Sequence, residues 1–127
     1  MRTGCQFSSK LDSDLSFELC TTSRFCILIQ FTDFYNDGMR CDIDGNIYIT
    51  GHTRSYDFPT TPGAFDETFN TVINAGDAFI SKFDPTLSTL LSSTYLGSGV
   101  YDEGSELEFD SEGNLYILGY TGSSNFP

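Results

Sequence analysis

"DSEGNLYILGYTGSSNFP", residues 110–127, repeats the wording of "DIDGNIYITGHTRSYDFP", residues 42–59. The two stretches agree at 10 of 18 positions without a gap, at an offset of 68 residues. Each carries an acidic residue and a glycine, Asp44-Gly45 or Glu112-Gly113, followed by alternating polar and apolar residues. A short run, an Asp/Glu-Gly break and a second alternating run predict an antiparallel hairpin.

A second block extends the repeat. "GCQFSSKLDSDLSFELCTT" (4–22) and "GDAFISKFDPTLSTLLSST" (76–94) agree at 9 of 19 positions, at an offset of 72. Between the blocks, "YNDG" (35–38) answers "YDEG" (101–104), with small insertions either side. The chain is thus one unit of about 70 residues written almost twice. The first copy with its exit linker is assigned to residues 1–75 and the second to 76–127. Each copy reads as about four short antiparallel strands, and helix templates find no support. "FPTTPGAFDETFNTVINAG" (58–76), with two prolines and two glycines, reads as the loop joining one unit to the next. The expected class is all-β: two four-stranded antiparallel blade-like sheets, a partial β-propeller, with a β-sandwich as the alternative.

Composition sets the outer bounds. The 127 residues are 39% hydrophobic and 15% aromatic, too apolar for a disordered chain. Eighteen Asp and Glu against six Lys and Arg give a net charge of −12, which disfavours nucleic acid and anionic membrane surfaces. No stretch approaches the roughly 20 apolar residues of a membrane span, and Met1–Asp14 has no apolar signal-peptide core. Cys5, Cys20, Cys26 and Cys41 crowd the first third, outside any zinc spacing; their even number hints at disulfides, but a secreted framework usually spreads its cysteines through the domain, so free, partly buried thiols are expected.

"GDAFISKFDPTLSTLLSSTYLGSGVYDEG", "FDSEGNLYILGYTGSSNFP" and "DFPTTPGAF" resemble the repeats of the SBBP family, the seven-bladed β-propeller repeat proteins. The resemblance covers the second copy and most of the first. It implies blade repeats of the kind found in large secreted or surface proteins, with no family-wide catalytic activity or cofactor. The first copy departs from the pattern at "SRFCILIQFTDFYNDG" (23–38), where an apolar run replaces the glycines of "YLGSGVYDEG".

Positions common to both copies are expected to serve folding. Gly45 and Gly113 supply the positive φ of the turns, and Gly51 and Gly119 mark a bulge or a close backbone approach. Asn46, Asn114, Tyr48 and Tyr116 fit turn and sheet packing. Asp42, Asp44, Asp110 and Glu112 could alternatively be read as calcium ligands around a turn glycine, but "IYITG" (47–51) offers no further carboxylate. His52, the single histidine, is expected at an exposed strand end. With Arg54 it forms the only pair suited to an enzyme reading. Ser8, Ser9 and "TGSS" (121–124) lack the surroundings of a nucleophile.

The expected function is therefore a non-catalytic structural or interaction module without cofactor. Its expected partners are further blades of a longer chain or a second copy of itself, since two blades alone leave apolar faces bare. A module binding protein or glycan through its loops is the alternative, and part of a multi-blade enzyme the third.

Overall fold

A computed structural model of the chain describes residues 7–11, 17–21, 26–29, 34–70, 72 and 75–127, with side chains from Tyr35 onward except Asn36. Among these residues there are nine strands and no helix. They are β1 (Phe7–Leu11), β2 (Phe17–Thr21), β3 (Cys26–Ile29), β4 (Phe34–Cys41), β5 (Ile47–Thr53), β6 (Asp77–Phe83), β7 (Leu90–Leu96), β8 (Asp102–Phe109) and β9 (Leu115–Thr121). Every pairing is antiparallel, in three sheets ordered β1-β2-β3, β4-β5-β6-β7 and β8-β9.

The all-β reading holds, but the strands group differently from four per repeat. The central sheet takes β4 and β5 from the first copy and β6 and β7 from the second. What joins the halves is a seven-residue ladder between β5 and β6, from Ile47↔Phe83 to Thr53↔Asp77. The apolar run at 23–38 supplies β3 and the start of β4, and β3 pairs with β2. Cys5 lies outside the described residues, as do the side chains of Cys20, Cys26, Ser8 and Ser9. Cys41 is disulfide-bonded, which corrects the expectation of free thiols there. The even cysteine count, not the uneven distribution, was the informative signal.

Strand alternation gives the central sheet two faces. On one lie Met39, Cys41, Ile47, Ile49, Phe79, Phe83 and Tyr95, placed side by side by the register. The segment 54–70 folds over this face, with Phe58 buried against Phe79 at a ring separation of 4.7 Å. Fully burying each of the Ile and Phe side chains among these contributes about 1.5–3 kcal/mol. The same segment also occupies the outer edge of β7. Thr61 N–H donates to the Ser93 carbonyl at 3.0 Å, and Tyr95 N–H donates to the Asp66 carbonyl at 3.0 Å. The linker thus does more than join two units: it satisfies an edge that would otherwise stay open to pairing.

The opposite face, carrying Arg40, Tyr48, Thr50, His52 and Lys82, is covered by β8, which packs across β4, β5 and β6. The approach is tight. A Cβ on Gly104 would stand 2.0 Å from Thr50 Oγ1, so only glycine fits there. Both faces of the central sheet are covered, and among the described residues an exposed apolar stripe lies further out, on β9.

Candidate functional site

The two hairpins repeat one another atom for atom at their turns. Asp42 Oδ1 accepts the backbone N–H of Asp44 at 3.0 Å and of Asn46 at 2.8 Å. Its Oδ2 accepts Asn46 Nδ2 at 2.8 Å and the Tyr48 hydroxyl at 3.4 Å. Asp110 does the same with Glu112, Asn114 and Tyr116, at distances of 2.9, 2.9, 2.8 and 3.2 Å. Gly45 at φ +84° and Gly113 at φ +85° make the chain reversal possible. These Asp-x-x-Gly-Asn-x-Tyr clasps explain why Asp, Gly, Asn and Tyr recur together.

The clasps differ in one respect. Lys82 Nζ stands 3.4 Å from Asp42 Oδ2 and 5.0 Å from the centre of the Tyr48 ring. Burial works to raise the Asp42 carboxyl, but hydrogen bonds from Asn46 and Lys82 outweigh it and hold its pKa below the ordinary value. The Asp110 pKa is also lowered, chiefly by the Asn114 hydrogen bonds. Among the described residues no lysine or arginine is paired with Asp110. The four acids considered as calcium ligands, Asp42, Asp44, Asp110 and Glu112, border a single cleft of about 500 Å³ between the turns. Among the described residues their oxygens form no group converging within 4.8 Å.

A convergent group lies elsewhere, around His52. The histidine is in β5 and only 8% exposed, which corrects its expected place at an exposed strand end. Burial follows because β8 crosses β5 at this point. Its Nδ1 faces the Tyr101 hydroxyl at 3.2 Å, Glu103 Oε2 at 3.8 Å and Asp37 Oδ2 at 3.9 Å. Tyr35 stacks on the ring at 4.6 Å. Tyr101 donates its hydroxyl proton to Glu103, so the His52 contact is satisfied when Nδ1 carries the imidazole proton.

A β-bulge brings Asp37 into the group. The β4–β5 register steps from Asn36↔Gly51 to Gly38↔Thr50, leaving Asp37 as the extra residue. The β8–β9 register makes the same step from Gly104↔Gly119 to Glu106↔Leu118, with Ser105 as the extra residue. The structural offset is therefore 68 here too, and the glycines of "YNDG" and "YDEG" do not occupy matching positions. Gly119 lies against β8, where a Cβ would stand 2.2 Å from the Glu103 carbonyl oxygen.

The electrostatics of this group follow from burial. Desolvation lowers the His52 pKa, against the opposing pull of Glu103 and Asp37. Asp37 is raised, first by burial and then by the neighbouring Glu103 charge. Burial and the Glu103 hydrogen bond push Tyr101 well above the usual phenol range. Asp37, His52 and Glu103 offer one nitrogen and two oxygens within 4.8 Å of one another, a donor set that suits a small divalent cation. The same atoms are engaged with one another and with Tyr101, which ties β5 to the approach of β8. Arg54 is exposed and enters as a distant charge on His52 and Tyr101. Tyr56 packs on Phe69, and Asp57 accepts the Ser55 hydroxyl.

Sequence reading missed Asp77 and Asp102, both fully buried at the starts of β6 and β8. Asp102 Oδ2 accepts Ser98 N–H at 2.8 Å and the Ser123 hydroxyl at 2.9 Å, while Oδ1 has no hydrogen-bond partner among the described residues. Their counterparts in the first copy are Cys5 and Phe34, so repetition gave no signal for them.

The remaining surface is that of β9. Tyr116, Leu118 and Tyr120 line one side of the strand at exposures of 60%, 65% and 62%. The matching residues of β5 are Tyr48, Thr50 and His52, of which Thr50 and His52 are buried beneath β8. The second edge of β5 is paired by β6, whereas among the described residues no strand pairs the second edge of β9. The family model described as beta-propeller repeat, SBBP, matches residues 41–59 and 93–127, which hold the two clasped turns, β5, β8 and β9. No curated protein matches the chain.

Proposed function

We propose that the chain is a non-catalytic structural and interaction module, a portion of a β-propeller, which works by completing blades with strands added at β9. The observation that carries this reading is the contrast between β5 and β9. The two strands hold the same repeat position; β5 is buried and paired on both edges, while among the described residues β9 is open on one edge and one face. An exposed apolar stripe beside an open edge is the surface on which strand addition occurs. The disulfide at Cys41 suits an oxidising compartment, in keeping with a surface or secreted setting.

The test is a peptide titration. A synthetic peptide of residues 76–96, carrying the β6–β7 sequence that pairs β5, is added to the isotope-labelled protein. Saturable shifts at the amides of β9 are expected, and they should be weakened in Leu118→Lys/Tyr120→Lys. A peptide that leaves β9 unshifted counts against the proposal.

A further inference from the structure

Resting on that reading, we infer that the strand added to β9 is β1 of a second copy of this chain, joined head to tail. The repeat supplies the argument. β5 and β9 correspond at an offset of 68, and β6 and β1 at an offset of 72. In the central sheet β6 lies between β5 and β7. In the first sheet β2 takes the place of β7, and no strand among the described residues pairs the other edge of β1. The open edge of β1 is thus the counterpart of the edge that pairs β5. The open edge of β9 is the counterpart of the edge that receives it.

Charge completes the match. In the central sheet Tyr48 pairs with Lys82, whose ammonium stands over the Tyr48 ring and beside Asp42. Asp110 and Tyr116 rebuild that clasp without a cation among the described residues. Transferring the β5–β6 register to β9 and β1 aligns Leu115 with Leu11, Tyr116 with Lys10, Ile117 with Ser9, Leu118 with Ser8 and Gly119 with Phe7. Lys10 therefore takes the register position of Lys82, opposite the clasp that holds no cation among the described residues. Such an ammonium gains both a carboxylate and an aromatic face.

The interface is heterologous, since β9 and β1 are different surfaces, so association continues until a ring closes or a filament grows. Continuing the repeat, β4 and β5 of the incoming copy cover Tyr116, Leu118 and Tyr120. In this chain β8 covers Tyr48, Thr50 and His52 in the same way.

Sedimentation velocity over a range of protein concentrations tests the inference. The wild-type chain is expected to form species at multiples of its 14.1 kDa mass, dissociating as salt is raised. Lys10→Gln on one side and Tyr116→Ala on the other should each weaken association about tenfold, while Lys10→Arg and Tyr116→Phe retain it. Leu118→Lys/Tyr120→Lys, which alters only exposed side chains, should leave a folded monomer by circular dichroism. A wild-type chain that stays at 14.1 kDa throughout overturns the inference, as does unchanged association of Lys10→Gln. If such a monomer still binds the 76–96 peptide at β9, the interaction module stands and its partner is a blade from another chain. If it does not, both readings fall.

Discussion

The Nδ1 atom of His52 lies 3.2 Å from the hydroxyl of Tyr101, tying the second strand of the central sheet to the residue that leads into β8. Two repeats thereby contribute to one polar group around the buried His52. Asp37 and Tyr35 come from one side, and Tyr101 and Glu103 from the other.

Because His52 is the single histidine, its ring resonances follow one titration without ambiguity. Its pKa should lie below the ordinary 6.5, and Glu103→Gln should lower it further by removing an attractive charge. The same substitution should lower Asp37, which Glu103 now raises. For His52 the folded value is depressed, so its contribution to stability is present above the unfolded pKa and lost as pH falls through the folded one. For Asp37 the folded value is raised, so its contribution is present below 3.8 and lost as pH rises through the folded value. An upward shift of His52 in Glu103→Gln would contradict the assignment.

Gly104→Ala should destabilise the fold by about 1–3 kcal/mol, because the new methyl meets Thr50 Oγ1 at the crossing of β5 and β8. Thr50 cannot move freely, since its hydroxyl donates to the Phe79 carbonyl at 2.7 Å. Gly113→Ala meets no atom within 4 Å and carries only the cost of its positive φ, about 1–2 kcal/mol. Urea unfolding of both variants checks the order. Equal or reversed effects would remove the close crossing as the explanation.

Asp42→Ala should cost about 1–3 kcal/mol, since it strands donors from Asp44, Asn46, Tyr48 and Lys82. Asp110→Ala should cost less, as its clasp is exposed and lacks the lysine. The Asp42 carboxyl has a lowered folded pKa, so its contribution is present above 3.8 and lost as pH falls through that folded value. Thermal melts at pH 7 and at pH 3 should show the wild-type advantage over Asp42→Ala shrinking in acid.

Tyr95→Phe should destabilise by about 1–3 kcal/mol despite keeping the ring. Its hydroxyl donates to the Ser55 carbonyl at 2.7 Å and accepts the Phe58 N–H at 3.2 Å, both buried. Loss of those bonds loosens the segment over the core, so limited proteolysis should cut within residues 58–70 faster than in wild type. Unchanged cleavage would mean that Phe58 and the β7 edge bonds hold the segment without the tyrosine.

Much of this fold was legible in the repeat. The turns at Gly45 and Gly113, the strands beside them and the all-β class follow from local alternation and from residues that only turns require. The grouping of strands was not legible, because pairing of β5 with β6 is a long-range choice across a loop whose length says nothing about where the chain returns. His52 was misplaced for a related reason: its burial is imposed by β8, which no local pattern around residue 52 encodes. Asp77 and Asp102 escaped because they belong to one copy only, and comparison between copies finds only what both share.

The central sheet draws two strands from each copy, so the unit that recurs in sequence is out of step with the unit that packs. That mismatch has a genetic consequence. A tandem duplication cut anywhere in the repeat inserts the missing half of one sheet together with the half that begins the next, so copies are gained or lost without creating an incompatible junction. Lineages carrying such chains are expected to vary in repeat number more readily than in the sequence of the clasped turns.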